Sequence, residues 1–375
     1  MLALQCLCPG LSEGRCDPVK DSITDADLLQ ISIEKKEQKV MVDSIVVDTH
    51  HHFLPSEAAK YAKKTDDGDY TFILKRFSAA SRLMQDVEKT LAYMEACEIH
   101  MALLSIGAWI PNGLETCRAI NDGYAKIQRE YPGKFITCAH VPVHQGAEAM
   151  DELKRSMEVL GLQGVALITS YSHMTIDADE MMPFYERVSA YQIPLVVHPT
   201  LRRPLWGGVK YDLSTTLSRE YEIAKCVVEI LYGVIPRYPD LKFLVSHFGG
   251  GMPFLKWRLL SSHQPEGWDL PEGSKGHGLT PRELKKWGLW DDFHNRFDKI
   301  YFDSAGFGGS TVVMRASVDG TRRDRVTFGT DYPYEFRHPG DTREYIANIK
   351  SLNISEEEKR DILGQNVLRL FKIEG

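Results

Sequence analysis

The chain has 375 residues, 43% of them hydrophobic and 26% charged, with a formal net charge of -7. Its composition is ordinary for a globular protein, and mild acidity without a run of like charge argues against a nucleic-acid or polybasic membrane surface. No stretch approaches the ~18 apolar residues of a membrane span, and seven cysteines without a CxxC pair point to a reducing, cytoplasmic setting.

Residues 1–40 hold Cys6, Cys8 and Cys16 and a polar, helix-like run over 25–39. They read as an N-terminal extension to a catalytic domain over 41–375. The apolar opening is short and lacks a basic flank, so it is not read as a signal peptide. From residue 44 onward, apolar runs alternate with amphipathic ones. Strands are predicted at 45–49, 101–106, 135–139, 164–168, 194–198, 242–247, 300–303 and 326–330, several apolar on both faces, as in a covered parallel sheet. Helices are predicted at 86–96, 115–131, 147–160, 180–191, 221–238, 343–351 and 356–371. Eight alternations indicate a (β/α)₈ barrel of the TIM type with loop insertions; a doubly wound sheet is the competing arrangement. The stretches 53–84 and 262–297 are too long for simple connections and are expected to cover the active site and shape specificity.

The chemistry gathers at predicted strand ends. His50, His51 and His52 close the first strand, and residues two apart share a side, so His50 and His52 face together and His51 away. His198 ends the fifth strand, His247 the sixth and Asp331 the eighth. Any one of these alone reads more readily as a hydrogen-bonded rim residue. Four strand ends opening on one barrel rim are hard to explain as packing. Imidazoles and a carboxylate gathered at one rim suit zinc, which leaves room for water or substrate. The fourth strand, 164–168, is followed by Thr169 and Ser170, with neither lysine nor glutamate at its end. The run Gly249–Gly250–Gly251 lacks the Lys-Ser/Thr of a phosphate loop and is read as allowing close backbone approach.

The segments DTHHHFLP (48–55), VVHPT (196–200), VSHFGGGMPF (245–254), YFDSAG (301–306), FGTDYPY (328–334) and EEEKRDILGQNVLRLF (356–371) resemble the amidohydrolase-related family. Within it they resemble the branch of 2-amino-3-carboxymuconate-6-semialdehyde decarboxylase and related metal-dependent decarboxylases. The resemblance covers about 44–372. It implies His50, His52, His198 and Asp331 as metal ligands and His247 as the catalytic histidine beside the metal. Binuclear members of the family bridge their ions with a lysine or glutamate after the fourth strand, which this chain lacks, so the resemblance implies a single divalent ion. His-x-His at the first strand resembles the zinc branch, with manganese as the other choice, and no organic cofactor is implied. It further implies that Arg82, with Arg76 as competitor, grips a substrate carboxylate, and that Arg258 is supplied across a homodimer interface. Arg202 and Arg203, after His198, are further candidates to meet an anion. Asp303 is expected to orient its neighbours, and His51, His100, His140, His144 and His173 to be ordinary polar residues. The expected function is non-oxidative decarboxylation of an unsaturated or aromatic carboxylic acid, with His247 protonating the carbon that loses carbon dioxide. The alternative is a metal-dependent hydrolase or hydratase of a lactone, amide or unsaturated acid, with Asp331 or His247 handling the proton. A non-catalytic ligand-binding barrel is the third reading.

Overall fold

The computed structural model describes residues 45–61, 78–171, 174–200, 211, 213–262 and 279–373. The extension over 1–40, Arg76, His173, Arg202 and Arg203 lie outside the described residues. Eight apolar runs form eight strands: β1 (Val47–His51), β2 (Met101–Leu104), β3 (Phe135–His140), β4 (Gly164–Ile168), β5 (Pro194–His198), β6 (Lys242–Val245), β7 (Ile300–Asp303) and β8 (Val326–Thr327). They pair in chain order, every pair parallel. The Thr49 amide donates to Phe328 O at 2.8 Å and His52 N to Tyr332 O at 2.9 Å, joining β1 to the chain beyond β8. The sheet thus curves round into the predicted (β/α)₈ barrel, and the doubly wound arrangement is set aside. Strands β1, β3, β4 and β5 are buried along their whole length. Each Leu, Ile, Val or Phe so enclosed contributes about 1.5–3 kcal/mol relative to exposure.

Helices lie between the strands: α1 (Ser78–Leu83), α2 (Val87–Ala96), α3 (Leu114–Glu130), α4 (Ala147–Glu158), α5 (Met182–Tyr191), α6 (Leu217–Glu229), α7 (His247–Ser262), α8 (Leu289–Phe297), α9 (Thr311–Gly320) and α10 (Pro339–Lys350). Their starts follow local chemistry. Asp86 accepts from Lys89 N ahead of α2, and Ser310 from Val313 N ahead of α9; such caps satisfy amides that have no partner in the first turn. Two of the predicted helices are irregular. The one expected at 221–238 begins earlier and continues into a π-turn at Ile230–Val234. The one expected at 356–371 is interrupted by a π-turn at Asp361–Gln365. The described parts of the two long connections are largely helical: Ser56–Ala59 and α1 in the first, Pro281–Lys286 and α8 in the second.

Strand ends depart most from expectation where the barrel rim carries polar groups. β1 runs on through His51 with an irregular register after Asp48. β6 stops at Val245, because His247 through Gly251 adopt left-handed backbone, φ 48 to 81, before the regular turns of α7. β8 stops at Thr327, because Asp48 draws the next turn inward: its Oδ1 accepts from Thr330 N at 2.9 Å and its Oδ2 from Thr330 Oγ1 at 2.6 Å.

Candidate metal centre

Four predicted groups meet at the rim. His50 Nε2 lies 3.2 Å from His52 Nε2 and 3.5 Å from Asp331 Oδ1, and His52 Nε2 lies 3.0 Å from the same oxygen. The His198 ring centroid is 5.0 Å from that of His52 and 5.3 Å from that of His50. Donor atoms of His50, His52 and His198 all fall within 4.8 Å of one another. All four residues are buried.

Each imidazole is held by its other nitrogen. His50 Nδ1 is 2.9 Å from Asp303 Oδ2, His52 Nδ1 is 2.7 Å from Ser105 O, and His198 Nδ1 is 3.0 Å from Pro199 O. Those three oxygens can only accept, so each ring carries its proton on Nδ1 and presents a bare Nε2 lone pair to the centre. Two lone pairs at 3.2 Å, with a carboxylate oxygen beside them, repel unless a cation stands between them. Donors bound at about 2.0–2.1 Å to a tetrahedral ion stand roughly 3.3 Å apart, which matches these spacings. The donor set therefore fits one divalent ion.

The electrostatics agree. Burial works against a charged His50, yet Asp303, its hydrogen bond and Asp331 outweigh it and raise its pKa to about 9, so the acids favour a cation at Nε2, a proton or the metal ion that would displace it. Burial, then the neighbouring His52 and His50, holds His198 well below the ordinary value. Burial likewise lowers His52. Burial would raise Asp331, but the His52 hydrogen bond and the charges of His50, His52 and His247 pull it down. A protein that keeps one carboxylate ionised among three imidazoles is prepared for positive charge.

His247 stands at the edge of this group. Its ring stacks on His50 at 5.1 Å, and its Nε2 lies 3.9 Å from Asp331 Oδ2. That Nε2 is buried and has no hydrogen-bond partner among the described residues. The ring is held from behind, with Nδ1 3.0 Å from Glu220 Oε1, while its backbone amide donates to Asp303 Oδ1 at 2.8 Å. Asp303 therefore fixes His50 and His247 together, the orienting role expected of it. Gly306 closes over the ring: a Cβ there would sit 2.7 Å from His247 Cγ, and its φ of +88 suits glycine. His247 at φ 52 and Asp331 at φ 52 are both left-handed non-glycine residues, a strain of order 1–3 kcal/mol each that concentrates at functional sites.

The arginines behave differently. Arg82, in the last turn of α1, and Arg258, on α7, are both exposed, and neither guanidinium bonds to the cluster among the described residues. His51 turns away as expected, bonded to Asp48 Oδ2 at 2.9 Å and stacked on Tyr332 at 4.4 Å. His140 is structural: its Nε2 accepts from Ile106 N and its Nδ1 donates to Cys138 O, both at 3.0 Å. Sequence reasoning missed Asp48, Arg219, Glu220 and Tyr334. Arg219 Nη1 lies 3.8 Å from Asp331 Oδ2, and the Tyr334 ring sits edge-on to His52 at 5.3 Å. Tyr334 is the last residue of the FGTDYPY segment and could have been found there. Arg219 and Glu220 lie in an unremarked helix and carry no local signal.

Comparison with known proteins places this geometry. A sequence model described as Amidohydrolase matches residues 47–373. The chain is 27% identical over 315 residues to gamma-resorcylate decarboxylase of Polaromonas sp., covering 78% of this chain and 89% of the relative. It is 22% identical over 360 residues to 2-amino-3-carboxymuconate-6-semialdehyde decarboxylase of Dictyostelium discoideum, covering 88% and 92%. Among solved structures, a dihydroxybenzoic acid decarboxylase from Polaromonas sp., with bound manganese and the inhibitor 2-nitroresorcinol, superposes with a TM-score of 0.66 at 22% identity, over 88% of this chain and 97% of that one.

Proposed function

We propose a function from the fact that the chain belongs to the amidohydrolase family: it is a metal-dependent, non-oxidative decarboxylase of an aromatic carboxylic acid. The similarity to two curated decarboxylases along most of its length supports the reaction. The observation that carries it to this site is the convergence of three Nδ1-anchored imidazoles and Asp331 beside the unpartnered Nε2 of His247.

His50, His52, His198 and Asp331 would hold one divalent ion. We take zinc as that ion on the donor set; manganese, carried by the Polaromonas structure, is the other choice. When bound, the ion supplies positive charge that anchors an anionic substrate and stabilises negative charge building on it. Glu220 accepts from His247 Nδ1, so a protonated His247 presents its second N–H, at Nε2, to the site. That proton passes to the ring carbon bearing the carboxylate. The bond from that carbon to the carboxylate then breaks, its electron pair restores the aromatic ring, and carbon dioxide leaves. His247 ends neutral and regains its proton from solvent. Asp303 keeps His247 and His50 in register throughout.

Arg82 and Arg258 remain assigned to the substrate carboxylate, Arg258 from the partner of a homodimer. The exposed apolar residues around Arg258 support that interface: Phe254 is 77% exposed, Trp257 49% and Leu255 41%. Among the described residues no helix is long and apolar enough to cross a membrane. Cys97, Cys117, Cys138 and Cys226 are free and buried, which supports the cytoplasmic assignment.

The test is carbon dioxide release from a panel of hydroxylated benzoates, gamma-resorcylate included, by purified protein loaded with zinc or manganese. We expect release that chelation abolishes and metal restores. Turnover of lactones or amides, with no carbon dioxide from any acid, would overturn the reading.

A further inference from the structure

Helix α6 brings two adjacent residues over the metal centre. Glu220 Oε1 lies 3.0 Å from His247 Nδ1 and 3.1 Å from Arg219 Nε, so one oxygen serves both. Neighbouring helix positions do not normally face each other; here both side chains bend toward the site from the first turn of α6. The approach depends on Gly250. A Cβ at that position would meet the Glu220 carbonyl oxygen at 2.2 Å and Ala224 N at 3.0 Å. A residue with a side chain there would push α6, and both groups, away from the centre.

The Arg219 guanidinium is held along its Nε edge only. Its Nη1 stops 3.8 Å from Asp331 Oδ2, beyond hydrogen-bond distance. Neither Nη1 nor Nη2 has an acceptor among the described residues. The side chain is only 18% exposed. A largely buried guanidinium with two donors left open, fixed beside a metal-ligating carboxylate, is arranged for a planar anion. Arg82 and Arg258 are exposed and supply no such fixed donor within the chain.

We infer that Arg219 supplies the fixed grip on the substrate's carboxylate through Nη1 and Nη2, in addition to the exposed Arg82 and Arg258, with Glu220 positioning this guanidinium and the His247 ring together. The assignment rests on reading the site as that of an aromatic-acid decarboxylase. It puts the leaving carboxylate and the proton donor on one support, so that binding the first aligns the second.

The experiment compares metal-loaded wild type, Arg219→Gln and Arg219→Lys by calorimetric titration with 2,6-dihydroxybenzoate and with resorcinol, its carboxyl-free counterpart. We expect Arg219→Gln to weaken 2,6-dihydroxybenzoate about tenfold or more and resorcinol by less than about twofold. Metal content should be unchanged, and Arg219→Lys should recover part of the loss. Parallel loss for both ligands, or loss of metal, would make Arg219 a mere neutraliser of Asp331 and overturn the inference. Wild type that binds neither ligand would also overturn it. Weaker binding of 2,6-dihydroxybenzoate by Arg219→Gln than by wild type, with wild type never releasing carbon dioxide, would uphold Arg219 and sink the decarboxylase reading instead.

Discussion

His247 occupies a backbone region that residues with a Cβ avoid, at φ 52, and its ring is clamped by Glu220 on one side and Gly306 on the other. That expense of conformational energy is understandable if the ring must point its Nε2 at one place. The nitrogen lies close to the metal cluster, yet in the proposed function it is not a ligand. Its removal should therefore separate binding from chemistry. We expect His247→Ala to retain a full equivalent of metal while turnover falls by about 10²–10⁴, the usual worth of a positioned proton donor. Metal analysis beside single-turnover kinetics reads both; near-normal turnover would remove His247 from the proton transfer. Asp303 would give a different signature, because it bonds both His50 and His247 and so ties metal affinity to turnover.

Between strands, His140 shows how a rim histidine can be wholly structural. At the end of β3 it accepts from Ile106 N beyond β2 and donates to Cys138 O within β3. Only the neutral Nδ1–H form makes both bonds, and burial lowers its pKa to about 3. The sign follows directly. The unfolded chain takes up a proton near the ordinary value of 6.5 while the fold does not, so stability is intact above 6.5 and falls as pH drops from there toward 3. The slope approaches ~1.4 kcal/mol per pH unit, or about 2 kcal/mol by pH 5. Urea unfolding of metal-free protein at pH 7.5 and pH 5.0 checks this. The loss on acidification should shrink by about that amount in His140→Asn, and an unchanged loss would place the acid sensitivity elsewhere. The same scale explains the shortened β6 and β8. After Val245 and Thr327 the chain leaves the ladder, with His247 and Asp331 in left-handed backbone that aims their side chains inward.

For the whole molecule, barrel closure gathers groups far apart in the chain, and the proposed dimer would bring Arg258 of a second copy to the site. Phe254, Leu255 and Trp257 leave an apolar patch on α7 around Arg258, and contiguous exposed apolar surface of this kind marks an interface. We expect Phe254→Glu to shift the protein from dimer to monomer in sedimentation, with its thermal midpoint little changed because that side chain is already exposed. If the partner's arginine is needed in the site, catalytic efficiency falls with the dimer. A wild-type protein that sediments as a monomer at micromolar concentration would end this assignment.

The alternation of apolar runs was enough to read the barrel, because strands covered on both faces and a helix capped by Asp86 are determined by local chemistry. The cluster of His50, His52, His198 and Asp331 was legible for a related reason: a polar residue at a strand end follows an apolar run, so these four announce their rim positions. Strand ends were misjudged where a distant group overrode the local pattern, as Asp48 does by capturing Thr330. Arg219 and Glu220 were invisible for the same reason. Nothing near them in the chain differs from any solvated helix, and only Gly250, in the turn after β6, lets α6 come close enough to make them part of the site. Local periodicity thus sets which residues reach the rim. Which polar side chains meet there depends on through-space packing between elements, and that only the tertiary structure decided.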